Sequence, residues 1–263
     1  MSKRYWANVF RFFKNMKKEK EVFFDVYQTI IDIDIDGAHR KINEAKAWEC
    51  FAELLERYGV HTTAAEFIAR YDEKKEEFYA RKDRKIYHHN FCELTARILK
   101  EGFGADLPDA DISSLAFAYH KIARGYARLY PGVAETLATL KKRYVISVAS
   151  YTQGCYTQPE LKELGIDQFF SYFVYTSDVG LRKSSPLFYQ KCLQIAGKES
   201  SDCAMVGDHY HDDVFVPQSL GMKAVWIQNP LTQYKGIIAK QPEFGISLSE
   251  FTALPDVIDK LWR

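Results

Sequence analysis

The chain has 263 residues, enough for one large domain or for a core with a smaller module attached. Hydrophobic residues make up 47% and charged residues 27%, the range of an ordinary globular protein, and the net charge of +1 gives no overall bias toward nucleic acid or a membrane surface. The five cysteines are odd in number and lack a CxxC spacing, which argues for reduced thiols in a cytoplasmic protein over a disulfide framework. No apolar run approaches the roughly 20 residues needed to span a bilayer, and charges interrupt the basic N-terminus too often for a signal peptide.

Residues 1–20 stand apart as a basic N-terminal extension, with seven lysines and arginines against Glu19 alone. Trp6, Val9, Phe10, Phe13 and Met16 fall at helical spacing, so the segment reads as a basic amphipathic helix. Such a helix suits a membrane surface or a partner, but is more simply read as a terminal helix docked on the domain or a frayed tail. A strand follows at Glu21–Phe24 and leads into Asp25-Val26-Tyr27-Gln28-Thr29. Residues 30–37 alternate apolar and acidic side chains and end in Gly37, which predicts an extended hairpin with one wet face. Its three acids do not continue into an EF-hand spacing, so a calcium loop is disfavoured.

Residues 40–128 read as helical. Trp48, Phe51, Leu55 and Tyr58 form one stripe ended by Gly59, and Thr63-Ala64-Ala65-Glu66 fits a capping box opening a second helix. A third helix is expected to stop at Gly102 and a fourth to begin after Asp111. Such aromatic stripes usually build a core. From Tyr130-Pro131-Gly132 the pattern alternates helix and strand, with strands expected at residues 144–149, 169–176, 204–206 and 223–227. Short apolar strands separated by helices predict an α/β fold, a Rossmann-like parallel sheet covered on both faces. The expected organisation is an α/β core of residues 21–36 and 129–263, interrupted by a helical cap domain of residues 37–128.

Four clusters follow predicted strands, and in open α/β sheets ligands bind beyond the carboxyl ends of the strands. They are Asp25 with Thr29, then Ser150, then Lys183, then Asp208 with Asp212 and Asp213. Several carboxylates at one edge repel each other unless a divalent cation holds them, and hard oxygen ligands suit Mg2+. An aspartate is a usable nucleophile for phosphoryl transfer, and Ser150 and Lys183 could bind phosphoryl oxygens.

These stretches resemble the motifs of the haloacid dehalogenase-like (HAD) hydrolase superfamily, in the branch with a helical cap after the first strand. Asp25–Thr29 resembles DxDxT, Ser150 the second motif, and Gly180–Pro186 the third, with Lys183 as its lysine. Val206–Asp213 resembles GDxxxxD, and Tyr130–Val133 the re-entry into the core. The resemblance implies that Asp25 attacks phosphorus and forms an aspartyl-phosphate. It implies Mg2+ held by Asp25, the Tyr27 carbonyl and Asp208, with Asp213 or Asp212. Thr29, Ser150 and Lys183 would position the nucleophile and the phosphate, and the implied substrate is a small phosphorylated metabolite.

Tyr27 departs from the pattern, because family phosphatases carry there the aspartate that serves as general acid and base. Such a group contributes roughly 10² to 10⁴ in rate. Two alternatives follow. One is a slow or non-catalytic binding protein on the same fold. The other is a 2-haloacid dehalogenase, since family dehalogenases carry Tyr here; those enzymes lack the pair of acids that Asp208 and Asp213 provide. His209 and His211 are further metal-ligand candidates, more simply read as a variable motif position and a solvent-facing side chain. Tyr87-His88-His89 either reaches the substrate or forms a solvated helix start.

Overall fold

The computed structural model describes residues 20–232, 236–239 and 241–263. The amphipathic helix expected before Lys20 therefore lies outside the described residues. Among the described residues, eight strands form: β1 (Glu21–Phe24), β2 (Ile31–Ile33), β3 (Ala127–Leu129), β4 (Val145–Ser150), β5 (Phe173–Tyr175), β6 (Cys203–Gly207), β7 (Lys223–Gln228) and β8 (Phe244–Ser247). Six of them make one sheet in the order β5-β4-β1-β6-β7-β8, with every neighbouring pair parallel. Its central strands β1, β4 and β6 are buried along their whole length, hence on both faces. Val22 and Phe24 of β1 join one core cluster with Ile146, Val148 and Val206, while Phe23 joins a second with Ala149 and Met205. Side chains alternate across the sheet plane, so one short strand feeds both clusters.

β1 lies between β4 and β6, with Phe24 opposite Val148 on one side and Val206 on the other. The carboxyl ends of these three strands therefore open onto one crevice, the switch point of a doubly wound sheet.

Four helices separate β2 from β3: α1 (Gly37–Leu55), α2 (Ala64–Ala80), α3 (Phe91–Phe103) and α4 (Asp109–Ala123). They share a core of their own, in which Phe51, Phe67, Phe91, Ile98 and Leu115 pack together. Trp48 sits 4.5 Å from the Tyr119 ring and 5.5 Å from that of Phe51, centroid to centroid. Thr63 Oγ1 accepts from the Glu66 amide at 3.2 Å, as the capping pattern predicts. Tyr58 is exposed at the end of its stripe, because the chain tightens into a 3-10 turn at Glu56–Tyr58. α3 runs one residue beyond Gly102 and stops before Gly104, whose φ of 65° supplies the left-handed turn. α4 begins at Asp109, directly after Pro108.

The remaining helices are α5 (Val133–Leu140), α6 (Gly154–Glu163), α7 (Thr176–Val179), α8 (Pro186–Ala196), α9 (Val216–Ser219) and α10 (Leu254–Lys260). Two expectations need correction. The segment 169–176 yields only Phe173–Tyr175 as strand, since Asp167–Phe169 forms a 3-10 turn and Thr176 opens α7. Residues 30–37 form no local hairpin: β2 pairs antiparallel with the distant β3. Asp32 is buried there, accepting from Arg128 Nε at 2.8 Å and Tyr126 Oη at 3.2 Å, while Asp36 caps α1 through the amides of Ala38 and His39. Among the described residues, no helix is long and apolar enough to cross a membrane.

Candidate active site

The sheet ladder ends where the site begins. The Asp25 amide still donates to Val206 O at 2.9 Å, and the chain then turns sharply. Gln28 takes φ 63°, a left-handed conformation that costs a non-glycine residue of order 1 kcal/mol. The turn is fixed from several sides. The Gln28 amide donates to Ile31 O at 2.7 Å, Tyr130 Oη donates to Gln28 Oε1 at 2.7 Å, and Asn229 Nδ2 donates to Gln28 O at 2.8 Å. Asp25 is thereby held at the mouth of the crevice by a rigid loop.

Ser150, the last residue of β4, is buried, and Lys183 arrives from the loop between α7 and α8. The Lys183 ammonium lies 2.7 Å from Asp25 Oδ1 and 2.6 Å from Asp213 Oδ1, with 2% of its side chain exposed. Thr29 Oγ1 donates to Asp208 Oδ1 at 2.9 Å, and the His209 amide donates to Asp213 Oδ2 at 2.9 Å. Gly207 is required for this approach, because a Cβ there would lie 2.2 Å from Asp213 Oδ2.

Asp25, Asp208 and Asp213 each bring one carboxylate oxygen within 4.8 Å of the others. Burial, and then the Asp25 charge, push the Asp208 carboxyl above the usual range. Burial pushes Asp213 up further, opposed by Lys183 and reinforced by its two acidic neighbours. Burial alone would depress the Lys183 ammonium, but the charges of Asp213 and Asp25 hold it above its ordinary value. Three buried carboxylates against one ammonium leave an excess of negative charge on hard oxygen donors. That donor set fits a hard divalent cation.

Asp212 stands outside this cluster. Its carboxylate pairs with His211 Nδ1 at 2.8 Å, its backbone carbonyl accepts from Tyr189 Oη, and its side chain only borders the crevice. His209 and His211 are likewise absent from the oxygen cluster. Of the two acids, Asp213 is the one brought to Asp25.

Tyr27 points its hydroxyl away from the carboxylates. It donates to Glu160 Oε2 at 2.7 Å, with His120 Nε2 at 3.0 Å and Thr157 Oγ1 at 3.2 Å beside it. Arg124 pairs with the other Glu160 oxygen, and Glu160 and Arg124 are 1% and 10% exposed. Burial works against the Glu160 carboxylate, yet hydrogen bonds from His120 and Tyr27 and the Arg124 charge hold its pKa below the usual value. Burial and the Glu160 charge push the Tyr27 hydroxyl well above 10. This cluster was not legible in the sequence, since Glu160, Thr157 and His120 sit inside helices and belong to no motif.

Two cavities meet here. One of about 350 Å³ is lined by Asp25, Ser150, Lys183, Asp208 and Asp213. The other, of about 510 Å³, lies between the helical insert and the sheet region and is lined by Tyr71, Tyr119, His120 and Tyr156 among others. Tyr27 and Tyr151 border both. His88 and His89 line the larger cavity rather than a solvated helix start, and His88 Nδ1 lies 2.8 Å from Thr176 Oγ1.

A family model described as haloacid dehalogenase-like hydrolase matches residues 20–217. The chain is 28% identical over 148 residues to the glyceraldehyde 3-phosphate phosphatase of Methanothermobacter thermautotrophicus, covering 56% of this chain and 63% of that protein. It is 30% identical over 119 residues to the phosphoserine phosphatase of Thermus thermophilus, covering 44% of this chain and 47% of that protein. The chain thus spans about half to under two thirds of the length of these relatives. Among solved structures, a 2-haloacid dehalogenase from Pseudomonas syringae pv. tomato superposes with TM-score 0.63 at 22% identity, over 92% of this chain and 99% of that one. A HAD phosphatase from Thermococcus onnurineus gives TM-score 0.54 at 21% identity, over 90% and 97%. These two structures share the fold, and the family match over residues 20–217 carries the assignment: this chain belongs to the haloacid dehalogenase-like hydrolases.

Proposed function

We propose that this hydrolase is a Mg2+-dependent phosphatase of a small organic phosphate, with Asp25 as nucleophile. The observation that carries the reading is the convergence of Asp25, Asp208 and Asp213 around the buried Lys183 at the strand ends. The phosphatase names of the sequence relatives support it. Asp25, Asp208, Asp213 and the Tyr27 carbonyl would hold Mg2+, which supplies positive charge against the phosphoryl oxygens when bound. The Asp25 carboxylate attacks phosphorus, and the bond to the ester oxygen breaks with its electron pair leaving on that oxygen. Water then attacks the aspartyl-phosphate, releasing inorganic phosphate and restoring Asp25. Lys183 orients the nucleophile and offsets the charge that develops on the phosphoryl group, and Ser150 binds a phosphoryl oxygen. The helical insert serves as the cap that shields the site from water. A cytoplasmic setting belongs to the same proposal, on the odd number of cysteines and the lack of a CxxC spacing.

Tyr27 invites comparison with dehalogenases. Three buried carboxylates, however, would repel the carboxylate of a 2-haloacid unless a cation were present. The test is phosphate release from a panel of esters with Mg2+, comparing wild type with Asp25→Asn. Release by wild type, lost in a folded Asp25→Asn protein, is expected. Release that survives the substitution would exclude Asp25 as nucleophile.

A further inference from the structure

We propose that the cavity beside the carboxylates is built for a planar aromatic leaving group, so that aryl phosphate monoesters are the preferred substrates. The proposal rests on the phosphatase reading above and names the substrate class for that site. Two independent observations lead to it, one about shape and polarity and one about leaving-group chemistry.

The cavity of about 510 Å³ has the size of a small-molecule pocket and adjoins the nucleophile's crevice at Tyr27 and Tyr151. Its walls include Tyr71, Phe91, Tyr119 and Tyr156. Flat faces are already organised there: the His120 and Tyr156 rings stack at 4.0 Å and 6°, and His88 stacks on Tyr151 at 4.6 Å and 24°. Aromatic rings prefer such offset or edge partners, and a planar ligand gains the same contacts. The two arginines on the walls are paired with acids, and Asp34 is hydrogen-bonded. Arg40 pairs with Glu44 at 3.2 Å, Arg124 with Glu160, and Asp34 accepts from His39 Nδ1 at 3.2 Å. Burial, together with neighbouring cations, lowers the His88 imidazole to about 3 and that of His89 to about 4, so both are neutral near pH 7. A carboxylate on the leaving group would find the two arginines of the cavity wall already engaged.

The second observation is Tyr27. Its hydroxyl donates to Glu160 and is flanked by His120 and Thr157, so the position carries no carboxylic acid to protonate a departing oxygen. An aliphatic alkoxide resembles hydroxide in basicity, its conjugate acid near the value of about 15.7 for water, and leaves poorly without that proton. A phenolate, with a conjugate acid near 10, leaves about as well unprotonated. In the proposed step an Asp25 oxygen bonds to phosphorus while the bond to the aryl oxygen breaks. The electron pair leaves on the phenolate, which takes its proton from water. Hydrolysis of the aspartyl-phosphate then follows as above.

Intrinsic reactivity favours aryl esters at any phosphatase, so turnover must be paired with binding. With Mg2+ present, kcat/KM would be measured for phenyl and 2-naphthyl phosphate against cyclohexyl phosphate and glycerol 2-phosphate. Inhibition by phenylphosphonate, which cannot turn over, would be measured against cyclohexylphosphonate. The expected result is at least a tenfold aryl preference in both measurements, with the preference in phosphonate binding falling to about threefold or less in Tyr151→Leu. Tyr151 is 42% exposed, so this substitution leaves the core intact. Asp25-dependent turnover of alkyl esters as fast as aryl esters would overturn the proposal and leave the phosphatase reading standing. An aryl preference in turnover without one in phosphonate binding, or a binding preference unchanged in Tyr151→Leu, would also overturn it. No Asp25-dependent release from either class would remove both.

Discussion

Tyr27 shows how a single side chain can match a motif in position and differ from it in chemistry. Its backbone occupies the expected turn, while its hydroxyl is committed to Glu160 at 2.7 Å. A hydrogen bond to a charged partner contributes about 1.5 to 3 kcal/mol. Tyr27→Phe should therefore lower stability by about that amount in urea unfolding, while phosphate release stays within about threefold. A far larger loss of rate at unchanged stability would show that the hydroxyl takes part in the reaction. Gly207 makes the complementary case, because a Cβ there would collide with Asp213 Oδ2 at 2.2 Å. Gly207→Ala should displace that carboxylate, shrink the rise in melting temperature on adding Mg2+, and cut turnover at least tenfold; an unchanged Mg2+ response would place Asp213 outside the cation site. Asp25, Ser150, Lys183, Asp208 and Asp213 were legible because each lies at or just beyond the carboxyl end of a strand, or on the loop that follows. The choice between Asp212 and Asp213 was not legible, since adjacent residues differ only in the direction that the wide turn at Tyr210–Phe215 gives them.

At the scale of elements, the buried strands were readable because continuous apolar runs bounded by polar turns have few other uses. β2 was misread because alternation says which face is wet only when the partner is known. Its partner, β3, arrives after four helices and brings Arg128 to Asp32. The contact between α4 and α6 was invisible for the same reason. It is held by Arg124 on Glu160, a pair with 10% and 1% of its side chains exposed. Removing one partner of a buried ion pair leaves an uncompensated charge and costs about 3 to 5 kcal/mol. Arg124→Met should destabilise the fold by that order, as chemical denaturation would show. Adding Glu160→Gln should recover part of the loss, and strict additivity of the two changes would mean that the pair is not coupled.

For the molecule as a whole, acid should act through the cavity histidines. The folded-state values of about 3 for His88 and about 4 for His89 lie below the 6.5 of an exposed imidazole. Below about pH 6.5 the unfolded chain therefore binds protons that the native state refuses, and stability falls as pH drops toward 4. Above that value the two groups are neutral in both states and contribute no pH dependence. His88→Asn should give a flatter dependence of melting temperature on pH between 6.5 and 4.5 than wild type, and parallel curves would show that His88 protonates freely in the folded protein. The placement of β1 carries a further consequence, in time rather than in space. Glu21 leaves the ribosome well before its partners, for it pairs with Val145 on one side and Cys203 on the other. The strand that presents Asp25 must wait with one edge open until β4 has been synthesised and with the other open until β6 has followed. A product stalled before Cys203 therefore holds the nucleophile without the groups that restrain it, and the site is complete only once Asp213 has been made.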